Sequence, residues 1–178
     1  PLYEARDVFI FECYSGLRIS DILTLKWENI TDDEIALRMR KTEKLITIPL
    51  QKNIREILEK RRTIIGRYAM RDISKEYVFG FLKVNERNAT AQEMLNAISS
   101  STAMINKRIK RIAKLAGINK TISTHIGRHS FATMLLTNKV DLPVIQELLG
   151  HHDVKVTQIY AKVVSKRKEE AINALNFM

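Results

Sequence analysis

Cysteine, proline and glycine are all scarce in this 178-residue chain, which has one cysteine, three prolines and six glycines. A solitary Cys13 excludes both a disulfide framework and a cysteine-based zinc site. No apolar run approaches the roughly 18 residues that a membrane span requires, and no signal peptide is visible. We therefore expect an intracellular, cytoplasmic location. The few helix-breaking residues, together with a hydrophobic fraction of 45%, favour a helix-rich globular protein.

The length is compatible with one domain that buries a proper core, or with two small lobes. Because the first residue is Pro1 and not methionine, we expect a piece of a longer protein. The formal net charge of +10 is uneven: residues 1–102 carry 17 basic and 15 acidic side chains, whereas residues 103–178 carry 13 and 5. The second part is therefore the better candidate surface for a polyanion such as DNA. Alternatively, the surplus only keeps the surface solvated.

Apolar periodicity predicts a mainly α fold with a small three-stranded antiparallel β-sheet, an α+β arrangement. The strands are predicted at 27–30, 35–39 and 45–48, with a charged hairpin tip at 40–44. Helices are predicted at 2–14, after Ser20, at 53–65, 102–116, 125–138, from Pro143, at 154–161 and after Lys166. Residues 77–82 form a short run that we expect to be buried, and residues 85–101 are predicted as a loop with some helix.

The stretch 121–160 holds all four histidines and is the best candidate for a functional site. His125, Arg128 and His129 lie beside a predicted helix start at Thr124. A helix N-terminus offers unpaired N–H groups and the positive end of a dipole, so these side chains predict a phosphate site. Tyr160, which follows later, is a candidate nucleophile.

The histidines also allow other chemistry. His125 and His129 share one helical face and could bind zinc together with His151 and His152. However, the acidic partner of the HExxH pattern is missing, and the cation of Arg128 would repel a metal ion. A serine hydrolase is disfavoured because no G-x-S-x-G motif occurs. We interpret His129 and His152 as hydrogen-bonded structural residues.

Five short motifs follow one another along the chain: Gly16-Leu17-Arg18-Ile19-Ser20-Asp21, Lys41-Thr42 ahead of Ile48-Pro49-Leu50, His125-x-x-Arg128-His129, Leu149-Gly150-His151, and Tyr160. In this order and spacing, from about residue 3 to Lys162, the sequence resembles the tyrosine recombinases, also called the phage integrase family. The HIGRHSFAT wording is similar to integrases from mobile elements of Bacteroides-like bacteria. The chain departs from the family at Gly127, where a larger apolar residue is more common, and at Ser130, where threonine is usual.

The resemblance implies a catalytic set of six residues: Arg18, Lys41, His125, Arg128, His151 and Tyr160. Both arginines would clamp the non-bridging oxygens of one DNA phosphate, and Tyr160 would attack it to form a 3′-phosphotyrosine. Lys41 would protonate the departing 5′-oxygen. The two histidines would hydrogen-bond the phosphate and handle the tyrosine proton. Asp21 would support the catalytic residues without contacting the phosphate itself.

The chemistry of these groups is consistent with the implied roles. A free tyrosine has a pKa of about 10, so it needs a base or a strongly positive surrounding to attack at neutral pH. Two guanidinium groups match the phosphate oxygens and remain charged, which stabilises the transition state without a metal. Since transfer to tyrosine conserves the phosphoryl bond, no nucleotide cofactor is expected. Four basic residues of the helix 102–116 are candidate contacts to the DNA backbone: Lys107, Arg108, Lys110 and Arg111.

We therefore expect residues 1–178 to be the C-terminal catalytic domain of a site-specific recombinase or integrase. The family's N-terminal DNA-binding domain is absent from this chain, so weak DNA binding and no recombination by the chain alone are expected. The implied partners are double-stranded attachment sites at the bacterial nucleoid, three further protomers, and accessory DNA-bending proteins, with the helix after Lys166 exchanged between neighbours. The alternatives are a type IB topoisomerase, a non-catalytic DNA-binding regulator on the same fold, and a protein-interaction module.

Overall fold

The computed structural model describes residues 1–66, 72–84, 88–151 and 153–175. The helices run as follows: α1 Leu2–Ser15, α2 Ile19–Leu23, α3 Lys52–Gly66, α4 Ala91–Leu115, α5 Thr124–Thr137, α6 Leu142–Leu149 and α7 Val154–Leu175. Strands β1 (Glu34–Arg38) and β2 (Leu45–Pro49) form an antiparallel hairpin. The mainly helical prediction with a small antiparallel sheet is confirmed. No helix in the described residues is long and apolar enough to cross a membrane.

The sheet has two strands in the described part of the chain, and the strand predicted at 27–30 is wrong. Trp27–Asn29 is instead a 3₁₀ turn, closed by the Asn29 side chain, which accepts a hydrogen bond from the Lys26 N–H at 3.0 Å. Asparagine side chains that bond to the nearby backbone favour turns over strands. Isolated bridges flank the turn, one from Lys26 to Tyr77 and one from Ile30 to Ile35.

Three helix predictions need correction. Helix α2 begins at Ile19 with Arg18 as its N-cap, two residues before the cap predicted at Ser20. Helix α4 begins at Ala91, well before the predicted start, because Thr90 and Glu93 form a capping box. Helix α7 is one continuous helix where two were predicted. No glycine or proline interrupts the range 154–175, so the polar stretch after Lys162 does not break it.

Two glycines at helix ends bring distant elements close together. Gly16 ends α1 with φ 66° and Gly150 ends α6 with φ 59°, both in the left-handed region that glycine tolerates best. A Cβ on Gly16 would lie 2.3 Å from the Phe131 ring, and one on Gly150 would lie 2.2 Å from Met39 Sδ. Consequently α5 packs against the end of α1, and the hairpin packs against the end of α6.

The core has two parts. The larger cluster packs α1, α2, α3, α4 and the hairpin around residues such as Phe11 and Phe79, whose rings meet edge to face at 5.3 Å. The run 77–82 contributes Val78, Phe79, Phe81 and Leu82 to it, which confirms the expected burial. The smaller cluster comprises Phe131, Ala132, Ile145, Leu149 and Tyr160. The candidate nucleophile therefore lies in the second core, where α5, α6 and α7 meet.

Candidate active site

All six residues of the predicted catalytic set line one cleft of about 640 Å³. They come from five separate places in the fold. The loop after α1 supplies Arg18, the hairpin tip Lys41 and the first turns of α5 His125 and Arg128, while His151 follows α6 and Tyr160 lies on α7. The cleft is also lined by Glu12, Ile19, Ser20, Thr124, His129, Asp153 and Ile159. Side chains far apart in sequence thus converge on a space large enough for a phosphodiester.

Arg128 is the structural centre of this cleft. Only 5% of it is exposed, and its guanidinium donates hydrogen bonds to the backbone oxygens of Gly16 and Leu149 at 2.5 Å each. A third bond goes from Nη2 to His151 Nε2 at 3.0 Å. Burial, followed by the charge of Arg18, lowers the pKa of Arg128 to about 10, so the guanidinium stays charged at neutral pH. One side chain therefore holds the ends of α1 and α6 against α5.

His151 lies between Arg128 and α7 in a defined tautomer. Arginine has no acceptor, so His151 Nε2 accepts the bond from Arg128 and Nδ1 carries the hydrogen. Nδ1 lies 3.0 Å from Thr157 Oγ1, to which it donates. Burial, followed by the charges of Arg128 and Arg18, lowers the pKa of His151 to about 4. The imidazole is therefore neutral at physiological pH.

Tyr160 is 7% exposed, and its ring packs on His129 with 5.3 Å between ring centroids. His129 in turn meets His125 edge to face at 4.5 Å. Burial raises the pKa of Tyr160, while Arg128 and then Arg18 pull it back. The phenol is thus protonated at neutral pH and must lose its proton when it attacks. His129, predicted as a hydrogen-bonded structural residue, packs its ring between those of His125 and Tyr160. His152, for which the same role was predicted, lies outside the described residues.

Arg18 and Lys41 line the same cleft and are more accessible than Arg128. Arg18 is partly exposed, and its Nη1 contacts Met39 Sδ at 3.4 Å. Lys41 is exposed at the hairpin tip, which is closed by the bond from the Glu43 N–H to the Met39 oxygen at 2.8 Å. The Lys41 ammonium is therefore accessible to a molecule that enters the cleft.

Asp21 connects α2 to the hairpin. It is 1% exposed, and its Oδ1 accepts a hydrogen bond from the backbone N–H of Arg40 at 2.9 Å. Burial raises the pKa of Asp21, while the Arg40 bond and the neighbouring arginines oppose this rise. The carboxyl therefore fixes Arg40, the hairpin residue next to Lys41.

Two polar residues of the site were not predicted from the sequence. Thr157 is fully buried and accepts the bond from His151. Glu12 lines the cleft from α1, is 1% exposed, and its Oε2 has no hydrogen-bond partner. A Cβ on Gly127 would lie 2.8 Å from that oxygen, so the unusual glycine leaves room for the carboxyl. The available signal was a single acidic residue inside the apolar run 8–14.

The histidines also allowed a metal site. Within the described ranges, no group of three or more His, Cys, Asp or Glu side chains is arranged to hold a metal ion.

The basic residues of α4 differ in exposure. Lys107, Lys110 and Arg111 are exposed, whereas Arg108 lies over the Phe81 ring at 5.7 Å. These four cations lie outside the residues that line the cleft.

Residues 3–167 match the model of the phage integrase family, and the chain belongs to that family. Among curated relatives, it is 36% identical over 162 residues to the tyrosine recombinase XerD of Listeria monocytogenes serotype 4b, covering 88% of this chain and 49% of the relative. It is 33% identical to the tyrosine recombinase XerA of Pyrococcus horikoshii, over 89% of this chain and 50% of the relative. The chain spans about half the length of these relatives.

A solved structure shares the fold. The XerH site-specific recombinase, in a post-cleavage complex with its palindromic difH substrate, superimposes with a TM-score of 0.68 at 24% identity. The match covers 97% of this chain and 46% of the XerH chain. The described residues therefore have the fold of a tyrosine recombinase catalytic domain.

Proposed function

We propose that residues 1–178 form the catalytic domain of a site-specific DNA recombinase or integrase that cleaves and rejoins DNA through a 3′-phosphotyrosine. The observation that carries this proposal is the single cleft that brings together two arginines, a lysine, two histidines and Tyr160. Family membership and the named relatives support it. The HIGRHSFAT stretch favours an integrase of a mobile element, acting in the bacterial cytoplasm at the nucleoid.

In the proposed reaction, the Tyr160 oxygen bonds to the phosphorus while the bond to the 5′-oxygen breaks. Arg18 and Arg128 neutralise the charge that builds up on the non-bridging oxygens, which fixed guanidinium groups do without reorganisation. Lys41 gives a proton to the departing oxygen. Water takes no part in this step. The phosphotyrosine holds the phosphoryl group as an ester that a 5′-hydroxyl from another strand can attack.

The tyrosine proton is assigned to the histidines. His151 is neutral, so Nε2 has a lone pair, although Arg128 occupies it in this structure. A phosphate anion that attracts the Arg128 guanidinium would release this nitrogen. Exposed His125 lies at the rim of the same cleft, where it can donate to a phosphate oxygen. Asp21 acts through the hairpin and touches no reacting atom in this scheme.

The proposed partners are double-stranded attachment sites, three further protomers and accessory DNA-bending proteins. The exposed residues Lys107, Lys110 and Arg111 support a contact between α4 and the DNA backbone. In this proposal the helix after Lys166 also docks on a neighbouring protomer.

A pool of nicked DNA duplexes tests the proposal. Each duplex has random sequence around a nick placed a few nucleotides beyond the cleavage position, so that the released 5′-hydroxyl strand diffuses away and the adduct accumulates. We expect a protein–DNA adduct that survives denaturant and EDTA in the wild type and is lost in Tyr160→Phe. Absence of any adduct would contradict the proposal and favour a DNA-binding regulator. Relaxation of a supercoiled plasmid without paired sites would instead favour a type IB topoisomerase.

A further inference from the structure

Glu12 is a buried acidic residue in the cleft to which the proposed reaction assigns no role. It lies one turn before the end of α1, is 1% exposed, and its Oε2 has no hydrogen-bond partner. A buried polar group without a partner is unfavourable, and an ionised carboxylate is far more so. Burial of this kind favours the protonated form of a carboxyl group.

Gly127 leaves room for the Glu12 side chain because it has no side chain of its own. A side chain at position 127 would begin 2.8 Å from Glu12 Oε2 and 3.1 Å from its Cβ, closer than a Cβ atom normally packs. The carboxyl therefore occupies a space that exists because residue 127 has no side chain. This pairing places Glu12 directly against the helix turn that carries Arg128.

Arg128 directs its hydrogen bonds away from Glu12. They go to the backbone oxygens of Gly16 and Leu149 and to His151 Nε2. An ionised carboxylate beside a guanidinium normally forms a strong, often two-pronged pair with it. Oε2 without a partner, next to an arginine that bonds to carbonyl groups, is the arrangement expected of an uncharged carboxyl.

We propose that Glu12 is a positioning residue that stays uncharged beneath Arg128, filling the space above Gly127 and leaving the charge of Arg128 for the DNA phosphate. This inference rests on the proposed function. A carboxylate at this place would neutralise part of the arginine charge and repel the phosphate. A neutral carboxyl packs against the same helix turn without neutralising the Arg128 charge or repelling the phosphate.

Several ionisable groups surround Glu12. Arg128 faces it from α5, Cys13 is its neighbour on α1, and Arg18 and Asp21 lie beyond the end of that helix. The same cleft is lined by further charged or ionisable side chains: Lys41, His125, His129, His151, Asp153 and Tyr160. Burial raises the pKa of Glu12 to about 9, with Arg128 opposing the rise, and Glu12 contributes to the raised pKa of Cys13. Glu12 is thus neutral at physiological pH and ionises in alkaline solution.

The first experiment compares adduct formation between pH 7.5 and pH 10 on the nicked duplex pool. Glu12→Gln keeps the shape of the side chain but cannot ionise, and Glu147→Gln, which alters an exposed carboxyl on α6, is the matched control. Half a pH unit above its pKa about three quarters of a carboxyl is ionised, so near pH 9.5 the adduct rate of Glu12→Gln relative to wild type should rise by roughly fourfold. The ratio is read there because the Glu12 carboxylate raises the pKa of Arg128, which is about 10, so that the two groups titrate together at higher pH.

Parallel pH profiles for wild type and Glu12→Gln would overturn the proposal, because a purely space-filling role predicts no difference. A Glu12→Gln protein that forms adduct poorly at pH 7.5 would overturn it too, since that result requires a working carboxylate. A wild-type chain that forms no adduct at any pH would overturn the proposed function and the role of Glu12 with it.

A second measurement needs no DNA. The Glu12 carboxyl carbon of the wild-type chain can be followed by ¹³C NMR, with its signal assigned by its loss in Glu12→Gln. We expect it to titrate near pH 9. A midpoint near the ordinary glutamate value would overturn the proposal even if the chain cleaves DNA.

Discussion

Thr157 Oγ1 lies 3.0 Å from Nδ1 of His151 and accepts its hydrogen. Thr157 is fully buried on α7, one helical turn before Tyr160. The contact therefore joins the histidine, whose tautomer the Arg128 bond defines, to the helix that carries the proposed nucleophile. Because Arg128 holds the other ring nitrogen, a guanidinium, an imidazole and a threonine form one chain of hydrogen bonds.

Replacing Thr157 with valine, which has nearly the same shape, should remove the hydrogen bond between His151 and α7. Loss of one hydrogen bond costs about 1 kcal/mol, so we expect about a fivefold slower rate of adduct formation. The ¹⁵N NMR signal of His151 Nδ1 should shift because this nitrogen loses its hydrogen-bond acceptor, while Nε2 stays unprotonated beneath the Arg128 donor. Thr102→Val is the matched control, because Thr102 bonds only to the Ile98 oxygen within α4. Equal rates for the two variants would show that the His151–Thr157 bond has no part in the reaction.

The two arginines should differ in their contribution to folding. Arg128→Ala leaves the buried oxygens of Gly16 and Leu149 without a donor, and we expect the free energy of unfolding to fall by about 2–4 kcal/mol. Arg18 is partly exposed and its Nη1 contacts a sulfur atom, so Arg18→Ala should cost less than about 1 kcal/mol. Urea unfolding measures both. Both variants should fail to form the covalent adduct, and a similar loss of stability in the two would contradict the assigned roles.

The effect of Gly127→Ala on the free energy of unfolding should change sign when the residue at position 12 is replaced. In the wild type, the added methyl group meets the Glu12 carboxyl, and we expect destabilisation by about 1–3 kcal/mol. In a Glu12→Ala background the space is free, and the better helix propensity of alanine should stabilise the protein by up to about 1 kcal/mol. Urea unfolding of the four proteins gives this double-mutant cycle. The same effect in both backgrounds would mean that the two residues do not share the space.

DNA-backbone binding by α4 should appear in the salt dependence of affinity. Removing one cation that neutralises a phosphate lowers the slope of log K against log salt by about 1. Lys107→Ala, Lys110→Ala and Arg111→Ala should each do this on a short duplex, measured by fluorescence anisotropy. Lys52→Ala removes a cation whose side chain is 88% exposed on α3 and serves as the control. Unchanged slopes in all three α4 variants would place the DNA elsewhere on the surface.

The family resemblance predicted six side chains that line the cleft, although it did not predict Glu12 or Thr157. Gly16 and Gly150 marked helix ends correctly, and both allow close packing. The predicted strand at 27–30 failed because a single local bond from Asn29 decides the turn.

Other features depend on contacts that no local pattern reveals. Glu12 and Gly127 are far apart in sequence, and each alone is an oddity: an acid in an apolar helix and a glycine within a helix. Their relationship is visible only when α1 packs on α5. The capping box at Thr90 and Glu93, in contrast, is a local signal that the predicted loop at 85–101 overlooks, and it explains the longer α4.

The most direct test of the account is to locate the covalent bond. After trapping on the nicked duplex pool, digestion with nuclease and protease followed by mass spectrometry should give one modified peptide, with a 3′-linked nucleotide on Tyr160. The Tyr160→Phe protein should give none. A nucleotide attached to any other side chain, or DNA cleavage that continues in Tyr160→Phe, would contradict the account.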